Sequence, residues 1–368
     1  MIDEVRAFLA ARPDLLPSET DLDGAIVAGI DRESSAKVTC LFFDHDGNPT
    51  VAAKIARREP ADRSLAQEHA VLSQLWRLDT RAIRSCVPRP IALERIRGRL
   101  AMITSALPGG PMSARYYTPG HVADRAAVAE DFHAASAWLR RLEEDTRSGA
   151  TRLDAMSLEA WTRPVFDRYR QEIGWGDPEE RLLAMILERG SDLFGTALPI
   201  TAVHGDYWMG NLLLSGGAIT GVVDWELGRT AGLPFADIYK FPTSYAFYLD
   251  RSGRSLRGEV PGHPERAAFE QRWRRYGTWP NLAGFAYGYF GRGWFPEQVR
   301  RFVLGHLAWL GLPAQLNGIF FPLFLAQQAT SLDVPSFREG YRSVVRALVE
   351  ERDSTWLWQD TTIVESTR

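Results

Sequence analysis

The spacing of two aspartates and an asparagine constrains this chain more than any other feature of its sequence. Asp206 closes a His-Gly-Asp triplet, Asn211 follows five positions later, and Asp224 lies 18 positions after Asp206. Apolar runs adjoin Asn211 and Asp224, and the turn-forming sequence Ser-Gly-Gly at 215–217 separates them. The pattern predicts two short strands joined in a hairpin, with the Asn211 amide and the Asp224 carboxylate at neighbouring strand ends.

In this arrangement Asp206 would sit on the loop just before the hairpin. Carboxylate and amide oxygens are ligands that magnesium prefers, and the layout is the one needed to hold magnesium on a nucleotide and present an acceptor hydroxyl to it. The alternative is that Asp206 and Asp224 only cap turns while Asn211 begins a strand.

Composition narrows the class of protein. With 368 residues the chain can bury a large core, and this length predicts two lobes. A net charge of -3 favours neither nucleic acid nor an anionic membrane as a partner. Cys40 and Cys86 are the only cysteines, too few for a disulfide framework or a zinc site. Because the first residues also lack a secretory pattern, we expect a cytoplasmic protein.

The segments around Asp206, Asn211 and Asp224 resemble the catalytic and metal loops of the aminoglycoside phosphotransferase family, a branch of the protein-kinase-like fold that includes choline, fructosamine and homoserine kinases. The resemblance implies an α+β bilobal fold. Residues 1–106 would form a small antiparallel-sheet lobe that binds nucleotide, and residues 107–368 a larger, mostly helical lobe for catalysis and acceptor binding.

The same resemblance implies the chemistry. ATP and Mg²⁺ would be the cofactors, and the γ-phosphate would move to a hydroxyl of a small molecule such as a sugar, a metabolite or an antibiotic. Asp206 would act as the catalytic base, while Asn211 and Asp224 would hold magnesium. His204 would support the loop by hydrogen bonding.

Lysine is rare in this chain, and one lysine lies in a predicted strand. Only Lys37, Lys54 and Lys240 occur, against forty arginines. Lys54 resembles the family's strand lysine that contacts the α and β phosphates; the alternative is a lysine that points to solvent. Glu68 lies on a predicted amphipathic helix and resembles the glutamate that pairs with this lysine, although a solvated helix acid is the alternative.

Two further nucleotide contacts rest on resemblance alone. The loop between predicted strands at 25–30 and 37–43 matches the position of the family's phosphate-covering loop. It lacks the glycine-rich signature, so Ser34 and Ser35 would have to supply the contacts. The apolar run that ends in Pro-Gly-Gly at 108–110 resembles the family's hinge. There the Ser105 carbonyl and the Leu107 amide would pair with adenine, unless the segment is a plain strand-to-loop connection.

The acceptor leaves a weaker signal. Residues 241–300 contain nine arginines and five acids, which mildly favours a neutral or anionic acceptor, unless these arginines lie on solvated helix faces. Aromatic residues at 285–295 could stack on an acceptor, but core packing is the favoured explanation. The apolar segment 302–329 is interrupted by polar residues and prolines, so it predicts two buried helices and no integral membrane segment. A membrane-associated or lipid-linked acceptor is the alternative.

Three function classes fit these observations to different degrees. The favoured one is a kinase for a small-molecule hydroxyl. A catalytically inactive, nucleotide-binding scaffold is the alternative, although all four catalytic positions carry competent residues. A protein kinase would carry a basic residue after the histidine and a long activation segment after Asp224. Here Gly205 follows the histidine, and only twelve residues separate Asp224 from Asp237, which resembles the family's acid at the start of the next helix. The sequence predicts nothing about oligomeric state.

Overall fold

A computed structural model describes residues 2–17, 20–29, 37–249, 254–255, 258–259, 271, 273–277, 282–331 and 335–359. Ser34 and Ser35, which the sequence assigned to phosphate contacts, lie outside these residues. The chain divides into two compact units. The first comprises Met1–Ser113, Arg141–Thr146 and Thr201–Gly232, and the second comprises the remaining segments. The boundary expected between residues 106 and 107 stays a prediction.

The first unit is built on a five-stranded antiparallel sheet in the order β1-β2-β3-β5-β4. In the sequence, helix α1 precedes the strands of this sheet, and α2 and α3 lie between β3 and β4. A separate hairpin, β9–β10, pairs with the short strand β6. The elements of this unit are α1 (Ile2–Ala10), β1 (Thr20–Gly29), β2 (Lys37–Asp44), β3 (Pro49–Ala56), α2 (Glu59–Arg77), α3 (Arg81–Cys86), β4 (Pro90–Ile96), β5 (Arg99–Ser105), β6 (Gly110–Pro111), β9 (Leu212–Ser215), β10 (Ala218–Val222) and β11 (Arg229–Gly232).

Alternation along the strands decides which side chains enter the core of this unit. Val38, Cys40 and Phe42 of β2 are buried together with alternate residues of β3, against Val5 and Leu9 of α1. Residues directly opposite each other in an antiparallel pair share one face. The intervening residues of β2 and β3 therefore lie on the other face of the sheet, and this is the face that carries the predicted site.

Helix α2 begins near the predicted position and buries one face. Its buried residues recur at helical spacing and are Ala61, Leu65, Glu68, Val71, Leu72 and Leu75. Glu68 is the exception in this apolar stripe, because a carboxylate occupies a position at which the pattern calls for an aliphatic side chain. A buried carboxylate must be paired to be tolerated, so its presence indicates a specific cation nearby.

The second unit is mostly helical. Helix α5 and strand β8 run from one unit into the other, and the first residues of β8 pair with β7 within the second unit. Its elements are α4 (Met112–Tyr116), α5 (Arg125–Thr146), β7 (Gly149–Arg152), α6 (Ala155–Glu172), α7 (Asp177–Asp192), β8 (Ala197–Val203), α8 (Phe235–Tyr248), β12 (Arg254–Ser255), β13 (Gly258–Glu259), α9 (Leu282–Phe290), α10 (Trp294–Trp309), α11 (Asn317–Ser331) and α12 (Pro335–Glu350).

Aromatic side chains fill the core of the second unit. Phe132 of α5 makes edge-to-face contacts with Phe241, Phe295 and Phe302, at centroid distances of 5.2, 6.3 and 5.6 Å. The aromatic residues of α9 are also buried. Core packing therefore explains the aromatic cluster that the sequence left open between packing and acceptor stacking.

The apolar segment 302–329 forms parts of α10 and α11, two helices with many buried residues, as predicted. Across the residues that the structure describes, no single helix has both the length and the apolar character needed to cross a membrane. The pair Trp294–Trp309 and Ala314–Ser331 meets the criterion only when combined, and it is bent by 117°. The α+β class, with an antiparallel sheet followed by a mostly helical remainder, is confirmed.

Packing of α2 gives the first testable prediction. Leu72→Ala removes a fully buried side chain and leaves a cavity, so we expect the free energy of unfolding to fall by about 2–5 kcal/mol. Leu78→Ala, at a position just past the same helix that is 45% exposed, should change it by less than about 0.5 kcal/mol. Urea denaturation followed by circular dichroism measures both. Equal effects would contradict the assignment of this helix face to the core.

Candidate active site

The predicted hairpin is present and brings Asn211 and Asp224 together. Leu212 of β9 pairs with Val222 of β10, and the two strands are joined by a turn at 216–217. One residue beyond this pair, the Val223 amide donates to the Asn211 carbonyl at 3.0 Å. The hairpin register therefore sets Asn211 beside the segment that carries Asp224.

Asp206 is joined directly to Asn211. The Asn211 side-chain nitrogen donates to the Asp206 carboxylate at 3.1 Å and to the Asp206 carbonyl at 3.0 Å. Asn211 is buried, with 6% of its surface exposed. Because its nitrogen is committed to Asp206, the amide oxygen is the atom of Asn211 with cation-binding chemistry.

His204 ties the loop of Asp206 to the strand before Asp224. Its ring is fully buried. Nε2 lies 2.9 Å from the Val223 carbonyl, and Nδ1 accepts from the Asp206 amide at 3.2 Å. These partners require a proton on Nε2 and none on Nδ1. Burial lowers the pKa of His204, which keeps the ring neutral, so its role in the loop is to support it, as the sequence suggested.

Gly205 is required for a steric reason that the sequence does not reveal. Its φ is +81°, and a Cβ at this position would lie 2.5 Å from the Leu227 carbonyl oxygen. Any other residue would be strained and would collide with backbone. The arginine that typical protein kinases carry after the histidine therefore cannot be accommodated in this loop.

Lys54 is the electrostatic centre of the site. Its Nζ lies 2.6 Å from Glu68 Oε1 and 2.8 Å from Asp224 Oδ1. Strand β3 supplies the lysine, the buried face of α2 supplies the glutamate, and the residue after the hairpin supplies the aspartate. The two carboxylates, which the sequence placed in separate roles, thus share one ammonium group.

The pKa directions reflect this sharing. Burial opposes the charged forms of all three groups. The two carboxylates outweigh that cost and raise the pKa of Lys54 above its ordinary value. Lys54 likewise lowers the pKa of Asp224, whereas burial and the nearby Asp224 charge raise the pKa of Glu68. Lys54 therefore favours the carboxylate form of both acids, against the effect of burial.

Asp224 has a left-handed backbone, with φ +72° and ψ +59°. For a residue other than glycine this conformation costs about 1 kcal/mol or more, and it persists only where the surroundings hold it. Its side chain remains 38% exposed despite the contact with Lys54. The carboxylate is thus both fixed in direction and accessible to a ligand.

Ser105 and Leu107 lie where the sheet meets the hairpin. Ser105 ends β5, where its amide donates to the Arg89 carbonyl at 2.9 Å and its hydroxyl accepts from the Arg89 amide. The Leu107 side chain packs at Gly221 of β10. Gly109, at φ +107°, passes close to the Leu214 carbonyl, which leaves no space for a Cβ. The expected adenine contacts of Ser105 and Leu107 stay predictions.

Sequence reasoning missed one cluster at the site. Lys37 at the start of β2 makes an ion pair with Glu226, and its Nζ also lies 2.7 Å from the Ser64 hydroxyl of α2. Ser64 contacts Glu226 as well. Glu226, two positions after Asp224, is thus bound by a lysine and a hydroxyl. The sequence feature that could have revealed this cluster is the rarity of lysine in the chain.

The neutral state of His204 generates a prediction about pH. A histidine with a lowered pKa in the folded state binds fewer protons than in the unfolded state, so its contribution to stability is lost as pH falls below about 6.5. The difference in unfolding free energy between wild type and His204→Gln should therefore shrink from pH 7.5 to pH 5. Denaturant titrations at several pH values measure it, with the 84% exposed His45→Gln as control. A pH-independent difference would contradict the assignment.

Comparisons with known proteins were consistent with this geometry. A model of the phosphotransferase enzyme family, APH, matches residues 41–285. No curated protein matches the chain in sequence. The crystal structure of a thermostable mutant of aminoglycoside phosphotransferase APH(4)-Ia, apo form, is similar at 14% identity and a TM-score of 0.51, over 91% of this chain and 98% of that one.

Two other solved structures are similar as well. Aminoglycoside phosphotransferase APH(4)-Ia shows 15% identity and a TM-score of 0.50, over 95% of this chain and 99% of that one. The macrolide 2'-phosphotransferase MphH from Brachybacterium faecium shows 18% identity and a TM-score of 0.44, over 94% and 98%.

The similarity to the two aminoglycoside phosphotransferase structures establishes the fold, and it confirms the protein-kinase-like architecture expected from the sequence. The matched family region covers more than half of the chain and contains Lys54, Glu68, Asp206, Asn211 and Asp224. The chain belongs to the phosphotransferase enzyme family.

Proposed function

We propose that the protein is a small-molecule kinase that transfers the γ-phosphoryl group of ATP to a hydroxyl of its acceptor. The contact of Lys54 with both Glu68 and Asp224 supports this proposal most directly. It places a fixed ammonium group, suited to phosphate oxygens, beside a carboxylate suited to a divalent cation. The adjacent loop holds Asp206 through Asn211.

The donor set fits magnesium. Mg²⁺ is usually bound by one or two carboxylates together with substrate phosphates, rather than by a cage made only of protein ligands. Asp224 and the Asn211 amide oxygen form such a sparse, all-oxygen set. When bound, magnesium would neutralise charge on the nucleotide phosphates.

The protein's own residues have distinct tasks in the proposed reaction. Lys54 binds the α and β phosphates, and Glu68 holds the lysine in place. Asp206 accepts a hydrogen bond from the acceptor hydroxyl, orients its oxygen in line with the γ-phosphorus and takes the proton late in the transfer. His204 keeps the Asp206 backbone in position, because its neutral ring accepts from that amide.

The acceptor is proposed only as a class. The helical second unit contains a cavity of about 640 Å³ lined by Arg292, Arg300, Glu297, Asp353 and Trp356, among others. The lining contains two arginines and two acids, so the cavity favours neither a cationic nor an anionic acceptor. A neutral or anionic acceptor remains the preference suggested by the arginine content of residues 241–300.

A substrate panel tests the proposed function. Purified protein is incubated with ATP and Mg²⁺ and with aminoglycosides, macrolides, sugars, nucleosides or amino alcohols, and phosphorylated product is detected by mass spectrometry. We expect one class to gain a single phosphoryl group, together with a slow magnesium-dependent ATPase activity in the absence of acceptor. Nucleotide binding with neither activity would instead indicate the inactive scaffold.

The role of Asp206 gives a specific prediction. Asp206→Ala should lower kcat for phosphoryl transfer by about 10²–10⁴-fold, because the acceptor hydroxyl loses its base and its orientation. Binding of nucleotide should change little. Steady-state kinetics and equilibrium binding of a fluorescent ATP analogue measure the two effects, with the exposed turn variant Asp46→Ala as control. Retention of full kcat in Asp206→Ala would contradict the assignment.

Lys54 gives a second prediction with a different kinetic signature. Lys54→Met keeps the aliphatic stem but removes the charge, so we expect KM for ATP to rise by about tenfold or more and kcat to fall. Arg95→Met is the matched control, since Arg95 also joins the sheet to α2, through Asp62 at 2.8 Å. The assignment fails if both variants change KM for ATP equally.

A further inference from the structure

Lys37, Ser64 and Glu226 form a second cluster beside that of Lys54. As in the first cluster, the sheet supplies the lysine, and α2 and the segment after the hairpin supply its partners. In the β2–β3 register Lys54 lies opposite Thr39, and Thr39 and Lys37 are two residues apart, so both lysines occupy one face of the sheet. Ser64 and Glu68 are four residues apart and share one face of α2.

The segment after the hairpin also contacts both lysines. Asp224 contacts Lys54, the Trp225 amide donates to Glu68 Oε1 at 3.3 Å, and Glu226 contacts Lys37. Three consecutive residues are therefore each held by a different side chain of the sheet or of α2. The side chains of Lys37 and Glu226 are 15% and 32% exposed, so their contact is partly shielded from water.

We propose that Lys37 is a positioning residue for the proposed kinase reaction. Together with Ser64 it clamps Glu226, and the clamp holds the metal-binding segment 224–228 in place when Asp224 turns from Lys54 to magnesium. This inference rests on the proposed function, because it concerns the ligand role of Asp224.

The physical need for a second attachment follows from the backbone. Asp224 is in the left-handed region, and its ion pair with Lys54 is one of the contacts that hold it there. A cation bound by the same carboxylate competes with Lys54 for its charge. If Lys54 were the main support, magnesium binding would weaken the geometry that magnesium requires. The contact of Glu226 with Lys37 does not use the Asp224 carboxylate, so it persists during that exchange.

The first test does not require nucleotide. In Lys37→Met, hydrogen exchange of the amides at 224–228, followed by mass spectrometry on the protein alone, should accelerate by about tenfold. Glu226→Gln should reproduce this, Ser64→Ala should have a smaller effect, and the double variant Lys37→Met/Glu226→Gln should be no worse than either single variant. Arg95→Met should leave exchange of this segment unchanged.

The second test measures magnesium. The Mg²⁺ concentration that gives half-maximal tight binding of a fluorescent ATP analogue should rise by about tenfold in Lys37→Met and Glu226→Gln, but not in Arg95→Met. Nucleotide binding in the absence of magnesium should be unaffected, which a general loss of structure would not produce.

The outcomes separate the two proposals. Unchanged exchange in Lys37→Met, or effects that simply add in the double variant, would overturn the clamp. Unchanged magnesium dependence together with accelerated exchange would also overturn it as a positioning device. If the wild-type protein does not bind nucleotide with magnesium at all, the proposed function fails, and the exchange data still decide whether the clamp exists.

Discussion

The site depends on one ammonium group that two carboxylates share. Lys54 stabilises Glu68 inside an apolar helix face, where an unpaired carboxylate would be costly, and it also lowers the pKa of Asp224. Removal of this charge would leave two acids close together without the ammonium group that contacts both. Strand β3, helix α2 and the segment after the hairpin are therefore linked by electrostatics as well as by packing, and this linkage is one of the contacts that hold Asp224 in its direction.

A second constraint is the short loop that carries Asp206. Gly205 permits the chain to pass against the Leu227 carbonyl, and His204 connects the Asp206 amide to the Val223 carbonyl. Asn211 then closes the loop through the Asp206 carboxylate. Backbone and side-chain hydrogen bonds thus fix this loop, and the neutral buried imidazole of His204 bridges its backbone to that of Val223.

Rare lysines mark the places where a compact charge is bound on several sides. Lys54 and Lys37 each contact a carboxylate and a further polar group, and Lys240 Nζ lies 2.7 Å from the Gln328 side-chain oxygen. Arginine pairs with carboxylates both at the surface, as Arg95 does with Asp62, and in the interior, as Arg342 does with the buried Glu179.

The sequence by itself predicted the hairpin, the strands β1, β2 and β3 and the amphipathic α2, because period-two and helical patterns and turn residues act locally. It did not predict strand β4, helices α6 and α7, the contact of Glu226 with Lys37 or the collision that requires Gly205. Only the tertiary structure decided the last two, because each depends on contacts between residues far apart in the chain. Glu226 and Lys37 are 189 positions apart, and no local pattern encodes the sheet register and helix placement that bring them together.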